Sequence, residues 1–184
     1  MIVCISSLPP IFKKGFIMSK LTTPRDLLVQ EIKDLYSAES QLIKALPRMA
    51  RAANHEELKN TFTRHLEETR RHAQRIEEMM TKLNESPRGK KCKAMEGLLE
   101  EGREVIDSDV SPAIKDLALI AAAQKVEHYE IAGYGCARTL ADLIGESELA
   151  DTLQETLDEE GTTDKLLTEV AMGINIEAGV TAGE

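Results

Sequence analysis

Thr23-Pro-Arg-Asp-Leu-Leu-Val-Gln-Glu-Ile-Lys-Asp-Leu-Tyr-Ser-Ala-Glu-Ser-Gln-Leu-Ile-Lys-Ala-Leu46 is the stretch on which the fold turns. Thr23 is a helix N-cap, and Pro24 suits the first helical position, where no N–H is needed. Leu28, Ile32, Leu35, Leu42 and Leu46 follow at steps of three, four and seven, the spacing of one buried face of an α-helix. Glu39 falls on that face, between Leu35 and Leu42. A carboxylate there must be paired, protonated or bound to a cation, since burying it alone costs several kcal/mol, roughly. Pro47 is expected to kink the last turns.

The same pattern recurs along the chain. Asn54 and Glu57 predict a capping box for a second helix, with the stripe Leu58, Phe62, Thr69, Ile76, Met79, Leu83. Residues 85–91 are a turn-rich break, and a short amphipathic helix is expected from about Cys92 to Ile106. Ser111-Pro112 starts another long helix, with Leu117, Ile120, Gln124, Ile131 and Tyr134 on its inner face and Gly145 at its end. A last long helix carries Leu149, Leu153, Leu157, Leu167 and Val170. Aromatic residues make up 3% and Trp is absent, so the core must be Leu, Ile, Ala, Val and Met. Two helices, a longer connection and two more helices predict an all-α, antiparallel four-helix bundle. Its one long crossover, carrying the short extra helix, is the ferritin-like connection.

One domain is expected, over residues 18–172. Residues 1–17 hold a Pro9-Pro10 break, with Lys13-Lys14 after the apolar part. They suit neither a signal peptide nor a membrane span. They are expected to be a disordered tail, or a start-site artefact ahead of Met18. Residues 173–184 are Gly- and Ala-rich and are expected to form a flexible tail. The net charge of −9 argues against nucleic acid and anionic membranes as partners. Three cysteines, Cys4, Cys92 and Cys136, form no C-x-x-C pair; this fits a reducing compartment, the cytoplasm. Cys92 and Cys136 are expected to be packing residues.

Polar residues interrupt all four stripes. The second helix puts His65, Glu68 and His72 on one face. The third long helix adds Glu127 and Glu130, with His128 beside them, and the fourth adds Glu160, with Asp164 a turn later. Glu67 and Glu159 are expected at the surface. Either histidine alone is equally explained as a hydrogen-bonded core residue. Four helices each placing a carboxylate at mid-height is harder to explain so, because like charges repel strongly in an apolar interior. Two divalent cations would remove that repulsion, and an oxygen-rich site with one or two imidazoles suits iron or manganese.

Several of these segments resemble the bacterial YciE/YciF-like stress proteins, a ferritin-like family. They are Asp34-Leu-Tyr-Ser-Ala-Glu39, His65-Leu-Glu-Glu68-Thr, Cys92-Lys-Ala-Met-Glu-Gly-Leu, Gln124-Lys-Val-Glu-His-Tyr-Glu-Ile-Ala-Gly-Tyr-Gly135 and Leu157-Asp-Glu-Glu160. The resemblance implies a homodimer, related in fold to rubrerythrin and linked to stress responses. It implies metal ligation by Glu39, Glu68, Glu127 and Glu160, with Glu130 as a switchable ligand and Glu68 and Glu160 as bridges. Rubrerythrin-like sites repeat Glu-x-x-His, but here Arg71 and Thr163 follow Glu68 and Glu160 at that spacing. His65 and His72 are then the available imidazoles, as ligands or as orienting partners. The expectation is a di-iron or di-manganese protein that reacts with peroxide or dioxygen in oxidative stress, using an external electron donor. The alternative is a non-enzymatic dimeric stress or scaffold protein with a vestigial site.

Overall fold

The cap at Thr23 forms as its sequence predicts, in the computed structural model of residues 21–181 (side chains to Ile174). Thr23 Oγ1 accepts from Asp26 N at 3.1 Å, and the Asp26 carboxylate accepts from the Thr22 and Thr23 N–H groups at 3.0 Å. Helix α1 then runs from Pro24 to Ala52, continuing through Pro47. Helices α2 (Glu56–Lys82), α3 (Lys93–Asp107), α4 (Pro112–Leu143) and α5 (Ser147–Thr181) follow. The described residues contain these five helices and no strand. The expectation for residues 1–17 lies outside the described residues. Helix α5 carries on past Gly173, where the sequence suggested a tail, to Thr181.

Cross-helix contacts fix the topology. Asp34 meets Tyr129 and Asn54 meets Asp116, so α1 and α4 are antiparallel. His72 meets Glu159 and Lys82 meets Glu148, so α2 and α5 are antiparallel. Helices α2 and α4 therefore point the same way, and the chain must traverse the bundle between them. Helix α3 lies in that crossover and packs on α1 and α4. Its N-terminus is tied down by Cys92, whose N–H donates to Ser37 Oγ at 2.8 Å and whose carbonyl accepts from Gln41 at 3.1 Å. Cys92 Sγ also accepts from Met95 N, so the buried cysteine caps α3 as well as packing.

Two local expectations are corrected. Asn54 does not cap α2; His55 holds the N-cap position, without a side-chain cap bond. The acceptor is Asp116 of α4, which takes the N–H groups of Asn54 at 2.7 Å and His55 at 2.8 Å. On α4, Ile120 and Tyr134 are buried as expected, whereas Leu117, Gln124 and Ile131 lie at the half-buried edge. Leu119, Ala123, Val126, Ala137 and Ala141 fill the core instead. Helix α4 mixes its faces, with Asp116, Glu127 and Glu130 buried and Ile114, Ala121, Ala132 and Cys136 exposed, so periodicity alone misplaces its stripe. The core forms two apolar clusters, one around Leu46, Phe62, Leu119 and Leu167, the other around Ile32, Ile76, Tyr134 and Leu153. The polar residues of the four stripes lie between them.

Candidate metal centre

Glu39, Glu127, Glu130, Glu160, His65 and His72 are all buried, each at 2% exposure or less. Their ligand atoms form two groups, within 4.8 Å of one another in each: His65, Glu127, Glu130 and Glu160 in one, and Glu39, His72 and Glu160 in the other. Glu160 belongs to both. Both imidazoles come from α2, one turn before and one turn after Glu68. Two histidines seven residues apart thus reach the carboxylates, although the Glu-x-x-His spacing is absent.

The remaining expected ligand, Glu68, falls in neither group. It is partly exposed, 3.6 Å from His65 Nδ1 and within ion-pair reach of Arg64 and Arg71. The His65 contact, with the two arginines, holds its carboxyl below the usual range. Glu67 is exposed and pairs with Arg70, as expected. His128 is exposed beside Asp164.

Two further residues complete the surroundings. Glu159, expected at the surface, is half-buried and lies 2.8 Å from His72 Nε2, where Arg75 also holds it. Tyr134, fully buried, donates its hydroxyl to Glu39. The signal for Tyr134 was its place one turn after Glu130 and two after Glu127, on the same face.

The electrostatics follow from burial and crowding. Burial and the charges of Glu39, Glu160 and Glu127 push Glu130 well above the ordinary carboxyl range. Burial raises Glu127 to about 7 against the pull of His65, and likewise raises Glu39 against His72. Burial also opposes ionisation of Glu160, but the two imidazoles outweigh it and keep Glu160 low. His72 loses stability as a cation through burial, yet Glu160 at 3.0 Å and Glu39 at 3.5 Å bring it to about 10. His65 rises well above its ordinary value against the same burial, facing Glu127 at 3.2 Å.

The donor set fits divalent metal. Both oxygens of Glu130 and of Glu160 and one oxygen each of Glu39 and Glu127 are buried without a hydrogen bond in the protein, and His65 and His72 face these carboxylates at ion-pair distance without hydrogen-bond geometry. Buried polar atoms are almost always partnered, and so many left without a hydrogen bond in one layer could hold a cation. A cavity of about 10 Å³ abuts His65 and Glu127, walled by Leu46, Met49, Phe62 and Thr163. That is space for one water-sized molecule.

The comparisons with known proteins agree with the fold. Residues 23–178 match the family described as "Domain of unknown function (DUF892)". The chain is 47% identical over 153 residues to Protein YciF of Escherichia coli strain K12, covering 83% of this chain and 92% of that protein. The crystal structure of the E. coli stress protein YciF superimposes with a TM-score of 0.81 at 46% identity, over 84% of this chain and 98% of that one. YcfI from Rhodopseudomonas palustris, named as a candidate structural protein, gives 0.79 at 36% identity, over 83% and 98%. A Xanthomonas campestris protein at 22% identity and a TM-score of 0.69, over 88% and 100%, shares the fold. This chain belongs to the DUF892 family of YciF-like, ferritin-like proteins.

Proposed function

We propose that this protein is a stress protein whose buried cluster holds two iron or manganese ions and reacts with peroxide or dioxygen. The observation that carries the reading is the buried layer of carboxylates and imidazoles, divided between two groups that share Glu160 and left short of hydrogen bonds. His65, Glu127 and Glu130 would hold one ion, Glu39 and His72 the other, and Glu160 would serve both. Glu68 is placed to orient His65 and Tyr134 to orient Glu39, as outer partners of ligands commonly do. A bound redox-active pair would supply electrons to an O–O bond, with an external donor restoring them. The small cavity beside His65 has room for one water-sized molecule and so excludes organic substrates.

The protein is further proposed to act in the cytoplasm as a homodimer, without nucleic-acid or membrane partners. Among the described residues no helix is long and apolar enough to cross a membrane. Ile114, Ala121, Ala132 and Cys136 are exposed on α4, and this apolar surface suits a second copy. The test is metal analysis after purification without chelators, with peroxide consumption measured alongside. About two ions per chain are expected, with loss of both metal and turnover in Glu160→Gln. Metal-poor protein whose turnover survives Glu160→Gln would overturn the reading.

A second reading has its own support: the cluster can neutralise itself. Two imidazolium groups, a protonated Glu130 and one more proton shared among the coupled carboxyls would balance the remaining charge without metal. The protein would then be a dimeric stress or scaffold protein with a vestigial site.

A further inference from the structure

Among the described residues, most lysines and arginines are spoken for. Arg25, Lys33, Arg64, Arg75, Lys82 and Arg138 each lie within ion-pair distance of a carboxylate. The second half of α1 and the facing side of α3 depart from this. A groove of about 370 Å³ runs between them. Lys44, Arg48 and Arg103 stand on its rim, exposed, with no carboxylate partner among the described residues. Arg48 also lines an adjoining depression with Arg51 and Lys115. Lys115 donates to the Ile106 carbonyl at 3.1 Å, and Arg51 lies in the last turn of α1, so helix C-termini account for these two. They do not account for the rim.

Two carboxylates also line the groove. Glu96 is engaged by Lys91 at 2.6 Å and Lys93 at 2.5 Å. Glu100 alone faces the three free cations. Beneath the charges the walls are apolar: Ala45, Met49, Leu99 and Ile106. A solvated charged face needs no apolar floor, and an apolar contact surface needs no ring of unneutralised cations. Together they select a molecule with an anionic head and an apolar body. The volume is that of a small-ligand site, roughly 300–1,000 Å³. A protein partner would need about 800 Å² on each side. Arginine's planar donors favour a carboxylate or phosphate head, held in bidentate fashion.

We propose that this groove binds an amphipathic organic anion, an aliphatic carboxylate whose head pairs with Arg48 and Arg103 and whose chain lies along Ala45, Met49, Leu99 and Ile106. The inference is independent of the metal reading, because the groove lies on the outer side of α1.

The probe is decanoate, titrated calorimetrically into the full chain as purified. Acetate supplies the charge without the chain, decanol the chain without the charge, and inorganic phosphate a different anion. One decanoate per chain is expected, roughly tenfold tighter than any of the other three. Binding should weaken with added salt. Arg48→Glu with Arg103→Glu, at exposed positions that leave the fold intact, should weaken decanoate roughly tenfold or more. Ala45→Phe should block the groove with every charge retained, its helicity checked by circular dichroism. Equal binding of decanol, equal binding of acetate or phosphate, no decanoate heat, or insensitivity to the charge reversals would each overturn the proposal. So would a change of oligomeric state in the charge-reversed variant, which would make the groove a contact between copies.

Discussion

Asp116 shows how one residue can hold a structure that local sequence does not announce. Its carboxylate closes the α1–α2 corner by accepting two backbone N–H groups from about sixty residues away. Asp116→Ala leaves both partly buried donors without their protein acceptor. That should cost about 1–3 kcal/mol, seen as a lower urea midpoint with an unchanged slope. Asp116→Asn keeps one acceptor oxygen and should lose less. An unchanged midpoint in the alanine variant would mean that water replaces the carboxylate. Asn54 looked like the cap because its type and spacing fit, but a carboxylate from another helix outcompetes it. The buried site residues were legible for the opposite reason. Glu39, His65, His72, Glu127, Glu130 and Glu160 are polar at positions where spacing demands apolar, and that contradiction is visible in sequence. Glu159 was not legible, since its position is at the stripe's edge and its burial depends on Arg75 of a different helix.

At the scale of elements, close approach of α1 and α4 beside the cluster depends on Gly133. A Cβ there would lie 2.8 Å from Leu35 Cδ2, and Leu35 is 1% exposed, so it has no open space to move into. Alanine elsewhere inside a helix gains about 0.5–1 kcal/mol over glycine. Gly133→Ala should instead lose about 1–3 kcal/mol through overpacking. Gly135 is the matched control: its Cβ would meet Leu157 Cδ2 at 4.0 Å, an ordinary contact, so Gly135→Ala should raise the thermal midpoint. Helix starts were readable where the cap is local. At α1, the Thr22 backbone and hydroxyl and the Thr23 hydroxyl hold the Asp26 carboxyl at about 2. Because the folded value lies below the unfolded one, this stabilisation is complete above the unfolded value and is lost as pH falls through about 2. Amide exchange in the first turns of α1 should accelerate over that acid range, and Asp26→Asn should flatten the dependence. The inner face of α4 was less readable, since Asp116, Glu127 and Glu130 lie on its inward side while Ala121, Ala132 and Cys136 lie on its outward side.

For the whole molecule, four periodic stripes, their order and the long crossover sufficed for the bundle. Periodicity, however, records only that a residue is buried and not what neutralises it there. Whether ions or protons balance the central layer is a property of the entire bundle, because the groups come from α1, α2, α4 and α5 together. Ions that bind only the folded chain add RT ln(1 + [L]/Kd), about 2.7 kcal/mol at a hundredfold excess over Kd. For a chain of this length that corresponds to a rise of roughly 5–10 °C in Tm. Chelator-treated protein should therefore gain this shift when manganese(II), or iron(II) without oxygen, is restored. Glu160→Gln should abolish it, since both groups lose a shared carboxylate. Glu130→Gln separates the two accounts. In a proton-balanced cluster Glu130 is already neutral, so the amide is nearly isosteric with the acid and Tm should hardly move, with or without metal. In a metal-bound cluster the same change removes a charged ligand, and the metal-dependent shift should shrink while the chelated protein keeps its Tm. A metal-independent Tm in the unaltered chain, together with a silent Glu130→Gln, would leave the proton-balanced bundle as the native state.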